Sequence, residues 1–121
     1  MKNDKIEINN LSRRLYLCYS KDICYPKIRD NWNEKNKYFG MCAITSLIVN
    51  DYLGGEICKV YVDEISHYFN LLNDEIIDLT AKQFENSVNY SNYKIVKRDD
   101  ILTEDTKKRY DLLKKRLEDV E

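Results

Sequence analysis

Cys42 opens the most apolar run of a 121-residue chain, Ala43-Ile44-Thr45-Ser46-Leu47-Ile48-Val49, and glycines bracket that run at Gly40 and Gly54-Gly55. Glycine permits both the tight turn before the run and the left-handed residue that commonly ends a helix. The pattern therefore predicts a central helix over residues 41–52 with a cysteine in its first turn. Unpaired backbone N–H groups and the positive end of the helix dipole favour a thiolate at such a position, which is how many nucleophilic cysteines are activated. A nucleophilic sulfur also needs a base within reach and a third group to orient that base. The chain holds a single histidine, His67, in the middle of a predicted strand whose alternation puts it on one face with Ile65 and Phe69. Asp78 stands between Ile77 and Leu79, where a half-buried strand does not require a carboxylate. A tight turn at Asn73-Asp74 sets residues 67 and 78 nearly opposite each other, allowing for a register error of about two residues. Cys42, His67 and Asp78 thus suggest a nucleophile, its base and the carboxylate that holds the base. The plainer alternative is a cysteine packed as a small hydrophobe, a structural histidine and a turn-capping aspartate.

The elements that must position these residues follow from periodicity. Leu11, Leu15 and Cys18 recur at helical spacing, predicting an amphipathic helix over 9–20 with Asn10 or Ser12 as cap and Cys18 packed inside. Residues 21–39 contain Pro26, Asp30-Asn31, Asn33 and Asn36 with no consistent period, and so are expected as a long loop in which Trp32, Tyr38 and Phe39 anchor to the core or line a cleft. After Gly54-Gly55 the period becomes alternating, predicting antiparallel strands over 56–62, 65–71 and 75–79 with turns at Asp63-Glu64 and Asn73-Asp74. Thr80 with Gln83 has capping-box spacing for a short helix over 81–87. Residues 93–97 suit an edge strand because of their lysines. Thr103 or Asp105 then starts a last helix with a buried stripe of Tyr110, Leu113, Leu117 and Val120.

Composition narrows the class. The length suits one domain spanning residues 1–121, with 1–8 disordered or loosely ordered. Twenty Lys+Arg against 21 Asp+Glu give a formal charge of -1, which argues for neither nucleic acid nor an anionic membrane as partner. No apolar run is long enough to span a bilayer, and the first ten residues lack a signal-peptide core, so a cytoplasmic protein is expected. The four cysteines, at 18, 24, 42 and 58, include no Cys-x-x-Cys pair, and a single histidine supplies no second ligand of its type. Reduced thiols, no metal and no cofactor are the expectation.

Several phrases carry a resemblance. Asp30-Asn31-Trp32-Asn33, Gly40-Met41-Cys42-Ala43-Ile44-Thr45 followed by Asn50-Asp51-Tyr52-Leu53-Gly54-Gly55-Glu56, Ser66-His67-Tyr68-Phe69-Asn70, Asp78-Leu79-Thr80 with Gln83-Phe84, and Arg109-Tyr110 with Leu112-Leu113 together resemble the YunG-like family of small, largely uncharacterised bacterial proteins. The likeness runs over roughly residues 11–117. The family's Cys, His and Asp look like those of papain-like and transglutaminase-like thiol enzymes. The resemblance therefore implies an α+β fold with a papain-like or NlpC-like minimal core: a central helix on an antiparallel meander of about four strands, flanked by N- and C-terminal helices. Where the family pattern has glutamine before the cysteine, this chain has Met41, and a thioether cannot donate to an oxyanion as an amide does. The backbone N–H of Cys42, with Asn31, Trp32 and Asn36 from the loop, are the expected oxyanion or substrate-binding groups. The implied activity is cysteine-dependent hydrolysis or acyl transfer at an amide, peptide or thioester bond of a peptide, protein or small amide. The alternative is a non-catalytic binding module that keeps the fold and contacts a partner through residues 21–39 and exposed aromatics.

Overall fold

Two tight turns set the sheet. Asp63-Glu64 and Asn73-Asp74 each put two successive residues at positive φ, the conformation of a two-residue hairpin turn whose twist matches its flanking strands. The computed structural model, which describes residues 2–120, accordingly contains a meander of β1 (Glu56–Val62), β2 (Ile65–Leu72) and β3 (Glu75–Ile77). β4 (Lys94–Val96) pairs antiparallel with the other side of β1. The sheet order is β3-β2-β1-β4, so the lysine-bearing strand is indeed at an edge. Opposite register partners include Asn70 with Ile77, Ile57 with Asn70, Val60 with His67 and Ile57 with Val96.

The central helix, α2 (Cys42–Leu53), lies on one face of this sheet. Residues 44–49 are all buried, because strands cover one side and two other helices the rest. Those helices are α1 (Lys2–Cys18) and α4 (Glu104–Glu118), with the one-turn α3 (Arg98–Ile101) just before α4. Leu15, Ile23, Met41, Ile44, Leu47, Ile48, Leu113 and Leu117 form the fully buried centre. Buried polar contacts fix the helices: the Tyr19 hydroxyl and Thr45 Oγ1 are 2.6 Å apart, and Arg14 donates to the carbonyls of Leu117 and Val120 near the end of α4.

Four boundaries differ from expectation. The first helix starts at Lys2, so residues 2–8 are helical and Asn10 and Ser12 lie inside it rather than capping it. Residues 21–39 are not featureless: 3₁₀ turns run over Lys21–Ile23, Pro26–Asn31 and Glu34–Asn36. The buried Arg109 guanidinium donates to the Ile23 carbonyl, tying the first of these turns to α4. The expected helix over 81–87 is a single 3₁₀ turn, Ala81–Gln83, because Thr80 does not cap it and Gln83 spends its amide on the Thr80 side chain instead. β3 stops at Ile77 rather than 79. Thr103 caps α4 by accepting from the Thr106 N–H. Among the described residues no helix is long and apolar enough to cross a membrane.

Gly40 is the residue on which α2's entry turns. Its φ is +73° and a Cβ there would collide with Cys24 Sγ and crowd the Tyr25 backbone nitrogen, whose N–H donates to the Gly40 carbonyl. Gly40→Ala is expected to lower unfolding free energy in urea by about 2–4 kcal/mol, from left-handed strain plus overpacking. A loss below about 1 kcal/mol would contradict this account.

Candidate functional site

Beyond Ile77 the chain leaves the sheet, and Asp78 makes the turn: its Oδ1 accepts from the Thr80 N–H at 3.3 Å. Its Oδ2 meets His67 Nε2 at 2.6 Å. An ionised carboxylate only accepts, so Nε2 carries the proton and donates it. Both side chains are almost wholly buried, at 1% and 4% exposed. The Tyr90 hydroxyl donates to the same Oδ2 at 2.7 Å. Aromatic rings hold the imidazole in place: Phe84 meets it edge-on at 4.9 Å between centroids, Phe69 lies parallel at 6.3 Å, and Tyr90 packs on Phe69.

His67 Nδ1, on the other side of the ring, is buried and has no partner that meets hydrogen-bond geometry among the described residues. Cys42 is the other side chain, besides Asp78, whose charge and hydrogen-bonding capacity bear on the imidazole. Burial works against a charged imidazolium, but the hydrogen bonds and charges of Asp78 and Cys42 outweigh it and raise the His67 pKa to about 9. The relation between helix and histidine departs from the simple picture of both on one face. The α2-facing side of β2 carries Tyr68, Asn70 and Leu72, with Asn70 donating to the Ser46 carbonyl at 3.0 Å. Phe69 belongs to a separate small cluster with Cys58 and Val60 on the opposite face, and His67 alternates with it; Ile65, also expected on that face, is exposed. Because β3 ends opposite Asn70, the first half of β2 has no strand beside it on that edge. Tyr68 and His67, neighbours whose side chains leave the strand on opposite faces, both lie in this unpaired half of β2.

The start of α2 is also electrostatically open. Met41 provides no side-chain cap, its N–H donates to the Tyr38 carbonyl, and the first intrahelical bond comes from Thr45 to Met41. Among the described residues, no backbone carbonyl accepts from the N–H groups of Cys42, Ala43 or Ile44. These are the orphan donors that stabilise an anion at a helix start. All four cysteines are free, and Cys42 alone is partly exposed. Burial pushes the thiols of Cys18, Cys24 and Cys58 up, that of Cys58 to about 11.

The loop residues divide between surface and core. Asn31 is exposed at the end of its 3₁₀ turn. Trp32 packs against the core and donates Nε1–H to the Lys37 carbonyl, so it anchors the loop. Asn36 donates its amide to the Gln83 carbonyl at 3.0 Å, and its buried Oδ1 has no hydrogen-bond partner among the described residues. Met41 is completely buried, a core side chain. Two residues beside the site escaped the sequence reading as site members. Gln83, read only as a capping-box partner, accepts from the Gly40 N–H at 3.4 Å and braces the turn before Cys42. Tyr90 had no signal of its own, because it reaches Asp78 from an irregular segment. Among the described residues no three or more His, Cys, Asp or Glu side chains gather as a metal site would require.

Comparison with known proteins gives a family without a described activity. Residues 7–121 match the family model described as YunG protein. Over 59 residues the chain is 37% identical to "Uncharacterized protein YunG" of Bacillus subtilis (strain 168), an alignment covering 49% of this chain and 51% of that protein. The chain thus spans about half the length of that curated relative. No solved structure matches.

The histidine makes a pH prediction with a definite sign. Its folded pKa lies above the ordinary 6.5, so the stability it contributes is complete below 6.5 and is lost as pH rises through about 9. Between about pH 6 and 9.5 the native chain is expected to lose up to roughly 3 kcal/mol more than a His67→Gln variant, as measured by urea unfolding. Parallel pH profiles for the two proteins would contradict it.

Proposed function

The chain belongs to the YunG family, and on that premise we propose that it is a cysteine-dependent hydrolase or acyl transferase acting on an amide, peptide or thioester bond, with a papain-like core. One observation carries the reading. The only histidine in the chain has one ring nitrogen bound to a buried carboxylate and the other without a hydrogen-bond partner among the described residues, and a partly exposed thiol at an uncapped helix start contributes to the upward shift of its pKa.

In the proposed reaction the Cys42 thiolate attacks the substrate carbonyl carbon, forming a C–S bond and moving the carbonyl π electrons onto oxygen. In this reading the Cys42 and Ala43 N–H groups, which no backbone carbonyl occupies among the described residues, receive that oxyanion in place of the amide side chain expected before the cysteine. The His67 imidazolium gives its Nδ1 proton to the leaving amine or thiol as the bond to it breaks, which leaves a thioester on Cys42. Water, or an acceptor nucleophile in transfer, then adds to the thioester while His67 takes its proton, and the thiolate departs. Asp78 stays ionised throughout, fixing the ring orientation by its bond to Nε2. On this reading the protein works in the cytoplasm, where thiols stay reduced.

Alkylation separates the four thiols. At about pH 6, iodoacetamide is expected to label Cys42 far faster than Cys18, Cys24 or Cys58, which digestion and mass spectrometry would report. His67→Ala, verified as folded, is expected to slow Cys42 labelling roughly tenfold or more, since a cationic neighbour is worth more to the sulfur than the helix dipole alone. Equal labelling of the four thiols, or a Cys42 rate indifferent to His67→Ala, would favour a non-catalytic binding module.

A further inference from the structure

The α2-facing side of the sheet does not end where the helix ends. Beneath α2 the strands contribute the row Val96, Ile57, Asn70 and Ile77, with Asn70 bonded to the Ser46 carbonyl. Two residues along, the row on the same face is Lys94, Lys59 and Tyr68, and beyond that Tyr61 and Ser66. The end of α2 lies at the Leu71-Leu72 end of β2, where Gly55 packs on the Leu71 carbonyl and Glu56 pairs with Leu71, while Ser46 sits over Asn70. Cys42, one helical turn before Ser46, therefore lies toward Tyr68. The sheet surface on that side of α2 is a strip bearing two lysines and two tyrosines.

That strip is odd as a purely structural feature. Lys59 and Lys94 are direct register partners on adjacent strands, and like charges placed opposite each other are destabilising. Neither has an ion-pair partner among the described residues. The Lys59 ammonium sits 5.1 Å from the Tyr61 ring centroid, which holds it over an exposed aromatic rather than free in water; Tyr61 is 63% exposed. An anion seated between the two ammonium groups would relieve their repulsion, and the tyrosines would pack against its carbon skeleton.

We propose that Lys59 and Lys94, with Tyr61 and Tyr68, form a substrate subsite for a carboxylate, so that the bond cleaved or transferred at Cys42 belongs to an acyl group bearing a negative charge. This rests on Cys42 being the nucleophile. The catalytic role of the sulfur and the charge preference of the strip are separable by experiment.

Two alkylating reagents of nearly the same size separate them. Iodoacetate and iodoacetamide react identically, the Cys42 thiolate displacing iodide as the new C–S bond forms, but only iodoacetate carries a carboxylate. Their rate ratio at Cys42, referred to the ratio for 2-mercaptoethanol, cancels any change in the sulfur's own reactivity. The ratio is expected to favour iodoacetate in the native chain and to fall roughly fivefold in Lys59→Gln/Lys94→Gln, the scale of two partly exposed charges. Lys59→Arg/Lys94→Arg should keep the preference, and Lys114→Gln, on exposed α4 surface, should leave the ratio unaltered. Should the double variant fail to fold, Lys94→Gln alone and a salt series on the native chain decide: raising sodium chloride from about 0.02 to 0.5 M should depress the ratio by screening. A ratio that neither the lysine substitutions nor salt reduce would overturn the subsite while leaving Cys42 as nucleophile. Cys42 labelling by iodoacetamide no faster than the other three thiols would overturn the nucleophile and the subsite with it.

Discussion

A buried imidazole bears charge only where an anion waits for it, since removal from water disfavours the imidazolium. At His67 the anion is the Asp78 carboxylate, 2.6 Å away and itself buried. Much of the sheet's irregularity follows from making that contact. β3 has to stop at Ile77 so that Asp78 can leave the ladder and turn toward Nε2. The chain after it has to return so that Phe84 covers the ring and Tyr90 satisfies the carboxylate. The early end of β3 also leaves the β2 edge beside His67 bare.

The helices serve the same end from the other side. An uncapped helix start sacrifices on the order of 1 kcal/mol that a Ser, Thr, Asp or Asn cap would supply, and α4 takes that benefit at Thr103 while α2 does not. The orphan donors at Cys42 are thus kept free, while α2's burial in the core and the Tyr19 to Thr45 contact hold the helix in place. Gly40 and Gln83 control how the chain enters it: the glycine through a backbone that admits no Cβ, the glutamine by accepting from the Gly40 N–H. Met41 packs inward, so its side chain takes no part at the helix start.

Elements encoded by short-range patterns were legible in the sequence. Glycine brackets located α2, and the Asp63-Glu64 and Asn73-Asp74 turns fixed both hairpin registers, because two residues at positive φ allow little slippage. That register brought His67 and Asp78 near each other on paper, but as members of paired strands: in the actual pairing Asn70 faces Ile77, so His67 lies beyond the end of β3 and Asp78 meets it from a turn. What stayed hidden depends on distant packing. The α1 start at Lys2 lies in a stretch too polar to show a helical stripe, Arg109 is a buried cation whose partners include a carbonyl far away in sequence, and Tyr90 reaches Asp78 from a segment without periodicity. The choice between sheet faces was also beyond alternation alone. Alternation put His67 with Phe69, but could not say that this face is the one away from α2, because that depends on which side of the sheet the helix packs.

The single histidine allows the central coupling to be measured without assignment ambiguity. In protein labelled with ¹⁵N-histidine, the two ring nitrogens of His67 can be followed by NMR through a pH titration. The account predicts an Nε2–H tautomer or imidazolium, a titration displaced upward toward about 9, and a fall in that midpoint in Cys42→Ala while the bond to Asp78 persists. A midpoint near the ordinary 6.5 that is the same in the native chain and in Cys42→Ala would contradict it, because the thiol would then exert no influence on the imidazole that the candidate site is built around.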